Sequence, residues 1–275
     1  MNDPDTLQNR QPAVAGSFYP GDRTTLERDV RKMLVPAITP PQEARGIMVP
    51  HAGYIYSGAV AGKTFASITP PAVAVLLGPN NGGMGTPAAL WDSGSWSTPL
   101  GEIAVDAGLA RGMMRDCRIL APDRQAHYPE HSLEVQIPFL QVLNPAIKIV
   151  PIMFRLNNLA ELRDIGRMIA EELKAVTPRP LLVASSDMNH YEPHQATLDK
   201  DRPVLDAILA LDPERMWKEA VDGRVSMCGI QPVAVMLEAL KALGAVRGTL
   251  VEHTTSALVS GDYERTVGYA GVVFG

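Results

Sequence analysis

Three apolar segments of this chain end directly at polar residues of the kinds that bind ligands. The segments are residues 46–50, 72–79 and 180–186, and the polar residues that follow them are His51, Asn80 with Asn81, and Asp187 with His190. Short, continuous apolar runs are typical of strands buried on both faces of a parallel sheet. Open α/β sheets bind their ligands in the crevice outside the carboxyl ends of the strands. The sequence therefore predicts that side chains far apart in the chain meet at one edge of a sheet.

Strand and helix patterns alternate through most of the chain. Further strands are predicted at 146–153, 247–254 and 267–274, with short strands and turns within 86–105. One helix is predicted to start at Thr24, which fits a capping box with Glu27, and further helices are predicted at 58–68, 106–115, 131–143, 158–175, 197–210, 213–221 and 230–243. This alternation favours one α/β domain, residues 1–275, with three αβα layers and a mostly parallel central sheet.

The composition excludes several classes of protein. The chain has 275 residues and a net charge of −5, without the basic face that nucleic-acid binding needs. No apolar run approaches the roughly 18 residues that span a bilayer. The polar N-terminus lacks the apolar core of a signal peptide, so a cytoplasmic location is expected. The two cysteines, Cys117 and Cys228, do not form the disulfide framework of a small secreted protein.

His51 and Cys228 are the candidate residues best suited to metal binding. His51 follows a predicted strand in a turn rich in small residues, where an imidazole can bind a metal or transfer a proton. A hydrogen-bonded structural histidine is the alternative. Cys228 precedes an apolar helix, and a helix start lowers a thiol pKa. We therefore expect the Cys228 pKa to lie below that of Cys117, unless Cys228 is simply a buried small residue.

His131, Asp187 and His190 are the candidate catalytic residues. Asp187 and His190 follow a buried strand, and such a pair can orient an imidazole or supply a base. The alternative for Asp187 is capping of the next turn. His131 follows Glu130 at a predicted helix start, whose dipole disfavours the protonated imidazole and suits a general base. The same dipole is a sufficient structural reason for Glu130.

Asn81 lies in the glycine-rich turn 78–83, which lacks the Gly-Lys-Ser/Thr ending of a phosphate-binding Walker loop. Its side chain could give a neutral oxygen to a metal, although it is a poorer ligand for transition metals than imidazole. A simple loop is the alternative interpretation of this turn.

Several short stretches, taken in order, resemble the Memo family, also called AmmeMemoRadiSam system protein B. The matching stretches are Ala15–Pro20, His51–Tyr54, Leu77–Asn80, Glu130–Glu134, Ser185–Asp187 with His190, and Cys228–Gly229. The resemblance implies a fold like that of the LigB-type class III extradiol dioxygenases, which are non-haem iron enzymes. It also implies metal binding by two histidines and one cysteine, of which His51 and Cys228 match two. Asn81 stands where the family has the other histidine.

Three functions are consistent with these features. The first is a metal-dependent redox enzyme in which His51, Asn81 and Cys228 bind iron or another divalent transition metal, such as copper or zinc, weakly. The second is a non-catalytic protein that binds a small molecule or a peptide in the same cleft. The third is a metal-free thiol or acid/base enzyme that uses Cys228 and His190. The resemblance further implies AMMECR-type and radical S-adenosylmethionine proteins as partners.

Overall fold

The computed structural model describes residues 9–275, apart from the side chain of Asp116. Its strands are β1 (Asn9–Arg10), β2 (Gly46–Val49), β3 (Val73–Pro79), β4 (Ala88–Leu90), β5 (Ser95–Thr98), β6 (Gly101–Val105), β7 (Ala121–Pro122), β8 (Lys148–Phe154), β9 (Leu181–Ser185), β10 (His190–Glu192), β11 (Gly248–Thr255) and β12 (Thr266–Phe274). Its α-helices are α1 (Arg23–Met33), α2 (Tyr54–Ala66), α3 (Ala107–Asp116), α4 (Ile137–Leu143), α5 (Leu159–Lys174), α6 (His194–Leu209), α7 (Pro213–Asp222), α8 (Ile230–Ala242) and α9 (Ala257–Ser260).

The sheet is parallel at its centre, with antiparallel pairs on both sides of that centre and a further parallel pair, β1 with β5, at one edge. Its main path runs β1-β5-β6-β8-β3-β9-β2-β12-β10, with β11 paired to β12, β4 to β8 and β7 to β4. The neighbours from β6 to β2 along this path all pair in parallel, and Val75 of β3 lies between Val150 and Leu182. β12 pairs antiparallel with β2, β10 and β11.

Helices cover both faces of this sheet, because alternate side chains of the central strands enter two separate cores. In β3, Val75 and Leu77 pack in one core with residues of α3, α5, α6, α7 and α8. Ala74 and Leu76 pack in the other core with residues of α1, α2 and α4. The arrangement follows from the two-residue period of a strand. It confirms the predicted three-layer α/β fold.

The parallel centre of the sheet determines where the candidate site lies. Because β2, β3 and β9 run in the same direction, their carboxyl ends reach the same edge, where His51 and Asp187 follow β2 and β9. The start of α8 packs against this edge through Gly229, whose N–H donates to Ser186 Oγ at 3.1 Å. A Cβ atom on Gly229 would lie 2.4 Å from the Ser186 Cβ, so only glycine allows this approach. The contact places Cys228 beside the strand ends.

The helix predicted at 131–143 is wrong in its first half. His131 lies outside any helix, Glu134–Gln136 forms one 3₁₀ turn, and α4 begins only at Ile137. Pro138 lies in the first turn of α4, where its missing N–H needs no partner. The helix predicted at 58–68 instead begins at Tyr54. Within residues 9–275, no helix has the length and apolar content that crossing a membrane requires.

Candidate functional site

His51, Asp187 and Cys228 are in direct contact at the carboxyl edge of the sheet. His51 is buried, and its Nε2 lies 3.2 Å from Sγ of the partly buried Cys228. The backbone N–H of His51 donates to Asp187 Oδ1 at 2.7 Å. The backbone N–H of Asp187 in turn contacts Cys228 Sγ at 3.3 Å. These contacts join three chain segments that are far apart in sequence.

The hydrogen bonds behind His51 fix which of its ring nitrogens carries a proton. The Ser185 hydroxyl donates to the carbonyl oxygen of Ser132 at 2.7 Å. It therefore accepts from its two other neighbours, His51 Nδ1 at 2.9 Å and Gln136 Nε2 at 3.0 Å. The neutral His51 ring carries its proton on Nδ1, and the lone pair of Nε2 points to Cys228.

Burial keeps the His51–Cys228 pair neutral. It lowers the His51 pKa to about 3, and the nearby His131 and His190 add to that effect. Burial, followed by the charge of Asp187, raises the pKa of the Cys228 thiol far above its ordinary value. Burial also raises the pKa of Asp187, to about 6.

The expected low pKa of Cys228 is therefore wrong. Cys228 does precede α8, which begins at Ile230, but desolvation of its thiolate is the largest influence on its pKa. Burial raises the pKa of Cys117 too. Cys228 consequently has no more thiolate character than Cys117.

His131 lies beside this pair and is oriented by a buried carboxylate. Its ring stands edge-on to that of His51, with centroids 5.4 Å apart. Its Nδ1 lies 3.3 Å from Oε1 of Glu130, whose side chain is 1% exposed. The same carboxylate accepts from the backbone N–H groups of His131 and Ser132, each at 3.0 Å. These local bonds, rather than a helix dipole, explain why Glu130 is buried here.

Asn81 is an exposed residue that contacts Glu130. Its backbone N–H donates to Glu130 Oε2 at 2.8 Å, and its side-chain amide reaches Oε1 at 3.4 Å. The amide of Asn81 is thus turned towards the carboxylate that orients His131.

His190 is held by the segment that precedes Cys228. Its Nδ1 lies 2.9 Å from the carbonyl oxygen of Ser226, which can only accept, so Nδ1 carries the proton. Its backbone N–H donates to the Ser226 hydroxyl at 2.8 Å. Asn189 Oδ1 accepts from the backbone N–H of Ser226 at 3.1 Å and fixes this segment further. The pKa values of both His51 and Asp187 respond to the charge of His190.

Sequence reasoning missed several polar residues around the site. The buried Ser185 orients His51, the exposed Ser226 orients His190, and the buried Glu130 orients His131. Ser185 could have been suspected, because a serine that ends a buried strand needs a hydrogen-bond partner. Gln136 gave no such signal, since it lies in a stretch predicted to be an ordinary helix.

His51 and Cys228 fit as two ligands of one transition metal, but they do not form a complete binding site. Two such ligands on a tetrahedral metal would be about 3.5 Å apart, given bonds of about 2.0 Å to nitrogen and 2.3 Å to sulfur. The distance of 3.2 Å between Nε2 and Sγ is close to this value. Among the described residues, no group of three or more histidine, cysteine, aspartate or glutamate side chains could hold a metal ion.

Comparison with known proteins agrees with the resemblance found in the sequence. The sequence model of the Memo-like protein family matches residues 10–273. A MEMO1 family protein of Methanopyrus kandleri is 40% identical over 96% of this chain and 98% of its own length. One from Pyrobaculum aerophilum is 41% identical over 98% and 99%, and one from Aquifex aeolicus is 38% identical over 98% and 100%.

A solved structure supports the fold. It is that of an uncharacterized protein from Escherichia coli K12, which superposes with a TM-score of 0.59 at 14% identity. The match covers 85% of this chain and 100% of the other, and it bears on the fold alone. The relatives span the chain almost from end to end, and the chain belongs to the Memo family.

Proposed function

We propose that this protein binds a transition-metal ion through His51 Nε2 and Cys228 Sγ and uses it for redox chemistry on a small molecule. The observation that carries the proposal is the 3.2 Å contact between an imidazole lone pair and a thiol. Imidazole nitrogen and cysteine sulfur together suit iron, copper or zinc. When bound, the metal would supply redox or Lewis-acid chemistry.

The surrounding residues have separate roles in this proposal. Ser185 orients the imidazole of His51, which is the usual task of a group behind a metal ligand. Asp187 accepts from the backbone N–H of His51 and donates its own backbone N–H to Cys228 Sγ, so it holds these two segments together. His131 and His190 are the proton acceptors, because each has Nδ1 against an internal acceptor and Nε2 left for a ligand.

Metal binding itself is tested with Co(II), added anaerobically to protein made without a metal-binding tag. Binding should give a sulfur-to-cobalt charge-transfer absorption that disappears in Cys228→Ser and weakens strongly in His51→Ala. Cys117→Ala is the matched control, because that buried thiol lies in the hydrophobic core with residues of α3 and α5, and it should behave like the wild type. An absorption that survives in Cys228→Ser would place the metal elsewhere and refute the proposal.

Asn81 makes the metal weakly held in this proposal, since it offers only a neutral oxygen where the family resemblance expects an imidazole. Asn81→His should therefore raise the affinity for Fe(II), measured by anaerobic isothermal titration calorimetry. Asn81→Ala is the control for loss of the contact with Glu130. If the histidine variant binds no more tightly than the wild type, residue 81 does not face the metal.

A non-catalytic binding protein is the second candidate. The contact between Asn81 and Glu130 favours it, because the residue that would supply the third ligand is turned towards a carboxylate. This candidate predicts purified protein without bound metal and no Co(II) absorption. It also predicts that small molecules or peptides raise the melting temperature, and that substitutions at His131 abolish that effect. The Co(II) absorption separates the two candidates, and thermal-shift measurements on the wild type and the His131 variants test whether the cleft binds such ligands.

A further inference from the structure

The segment of residues 10–20, here called the strap, has no part in the proposed metal binding. Its anchor is Glu134, a fully buried side chain that receives four hydrogen bonds from the strap. The donors are Arg10 Nη1 at 2.6 Å, the backbone N–H groups of Ala13 and Val14 at 2.8 and 3.0 Å, and the Tyr19 hydroxyl at 2.6 Å. This number of bonds to one buried carboxylate fixes the path of the strap.

Arg10 also ties the strap to the loop that carries His131. Its Nε donates to the carbonyl oxygen of His127 at 2.8 Å, and its Nη2 donates to that of Glu130 at 2.7 Å. Its guanidinium group lies 4.3 Å from the centre of the Trp96 ring. Arg10 therefore joins the strap to this loop by buried hydrogen bonds.

Phe18 is the strap residue that reaches the candidate site. Its carbonyl oxygen accepts from the backbone N–H of Tyr54, the first residue of α2, at 2.8 Å. Its ring lies against His131, with centroids 4.6 Å apart and an angle of 50° between the planes. One residue thus contacts both the loop that follows His51 and the loop that carries His131.

We infer that Phe18 is a positioning residue that holds the His131 ring in its orientation towards His51, and that the strap forms a wall of the candidate site. The inference deepens the proposed function and rests on it only in counting His131 as part of the site. His131 has Glu130 at Nδ1, the His51 ring at its edge and Phe18 against its ring. Tilted aromatic contacts at this distance are favourable, and a leucine cannot reproduce them.

The test compares Phe18→Leu and Phe18→Tyr with the wild type by histidine acylation. Diethyl pyrocarbonate reacts with neutral imidazoles, and mass spectrometry of the full-length protein gives a rate for each histidine. Tyr263→Leu is the matched control, because Tyr263 packs edge-on against His194, outside the site, at 5.4 Å. Phe18→Leu should raise the His131 rate by up to about fourfold, the ratio of a fully exposed ring to one that is 26% exposed. Phe18→Tyr should keep the wild-type rate.

The control should give the complementary result, a faster His194 with an unchanged His131. A His131 rate that does not change in Phe18→Leu would overturn the inference, and so would equal rises in both Phe18 variants. If Phe18→Leu does not fold, NMR of the imidazole protons of His131 in the wild type and in Phe18→Tyr tests the inference instead. Both should show the ring-current shift of an adjacent aromatic ring, and its absence would overturn the inference. These readouts need no metal, so they can fail or succeed independently of Co(II) binding.

Discussion

Replacing Ser185 by alanine tests the hydrogen bonds that orient His51. The Ser185 hydroxyl is fully buried and contacts three groups: the Ser132 carbonyl oxygen, His51 Nδ1 and Gln136 Nε2. Gln136 Nε2 keeps a second acceptor, the Pro50 carbonyl oxygen at 2.9 Å. The alanine variant therefore deprives two buried groups, one on His51 and one on Ser132, of their main partner.

The expected loss of stability follows from that count. A buried polar group without a partner costs about 1–3 kcal/mol. Ser185→Ala should therefore lower the free energy of unfolding by about 2–4 kcal/mol, allowing for partial rearrangement. Ser57→Ala is the matched control, because Ser57 is equally buried but its hydroxyl donates to a single acceptor, the Ala52 carbonyl oxygen at 3.0 Å. Its expected cost is about 1 kcal/mol.

Urea unfolding measures the free energy of unfolding of both serine variants. Nitrogen NMR of the His51 imidazole shows which of its ring nitrogens carries the proton. The wild type should show His51 with its proton on Nδ1, and Ser185→Ala should show a mixture of the two tautomers. Equal destabilisation by the two serine variants would contradict the hydrogen-bond count. A wild-type His51 with its proton on Nε2 would refute the assignment of the lone pair that points to Cys228.

Three further outcomes follow from buried groups. Glu134→Ala should destabilise the protein by about 3–5 kcal/mol in urea unfolding, because it leaves Arg10 as an unpaired buried charge; a loss below about 1 kcal/mol would contradict this. Burial raises the Asp187 pKa to about 6, above its value in the unfolded chain. The protonated Asp187 side chain therefore contributes stability below about pH 4, and this contribution should be lost as the pH rises to about 6. Urea unfolding at several pH values should show the loss in the wild type and not in Asp187→Asn. The rate of Cys228 labelling by iodoacetamide, followed by mass spectrometry across a pH range, should reach half its maximum above the ordinary thiol pKa of about 8.5, and a midpoint at or below that value would show that burial does not penalise its thiolate.

The elements of the central sheet could be predicted because each is encoded locally. The apolar runs that became β2, β3 and β9 are short, continuous and followed by turn residues, which is typical of buried parallel strands. The segment 131–143 shows where this reasoning fails. Its apolar spacing fits a helix throughout. However, the Glu130 carboxylate accepts from the backbone N–H of Asn81, and that of Glu134 accepts from the backbone N–H of Val14. These contacts with distant parts of the chain explain why the α-helix begins only at Ile137.

Some boundaries were missed for similar reasons. At the start of α1, Thr24 and Glu27 fit a capping box in the sequence, yet Asp22 caps the helix by accepting from the Thr25 N–H at 2.9 Å. β10 was not predicted, because a three-residue strand has no periodicity and exists through its pairing with β12. In the candidate site, the sequence indicated His51 and Cys228 separately, but their 3.2 Å contact depends on Gly229 packing against Ser186.

The three histidines of the candidate site share one arrangement that no local pattern indicates. In each, Nδ1 faces an internal acceptor: Ser185 Oγ at 2.9 Å for His51, Glu130 Oε1 at 3.3 Å for His131 and the Ser226 carbonyl oxygen at 2.9 Å for His190. An acceptor at Nδ1 fixes the ring and leaves Nε2 as the nitrogen available to a ligand or a proton. Only the acceptor of His131 is a neighbour in sequence, whereas the others are 134 and 36 residues away. Three imidazoles fixed in this way at one sheet edge, rather than any one of them, are the reason to seek chemistry there.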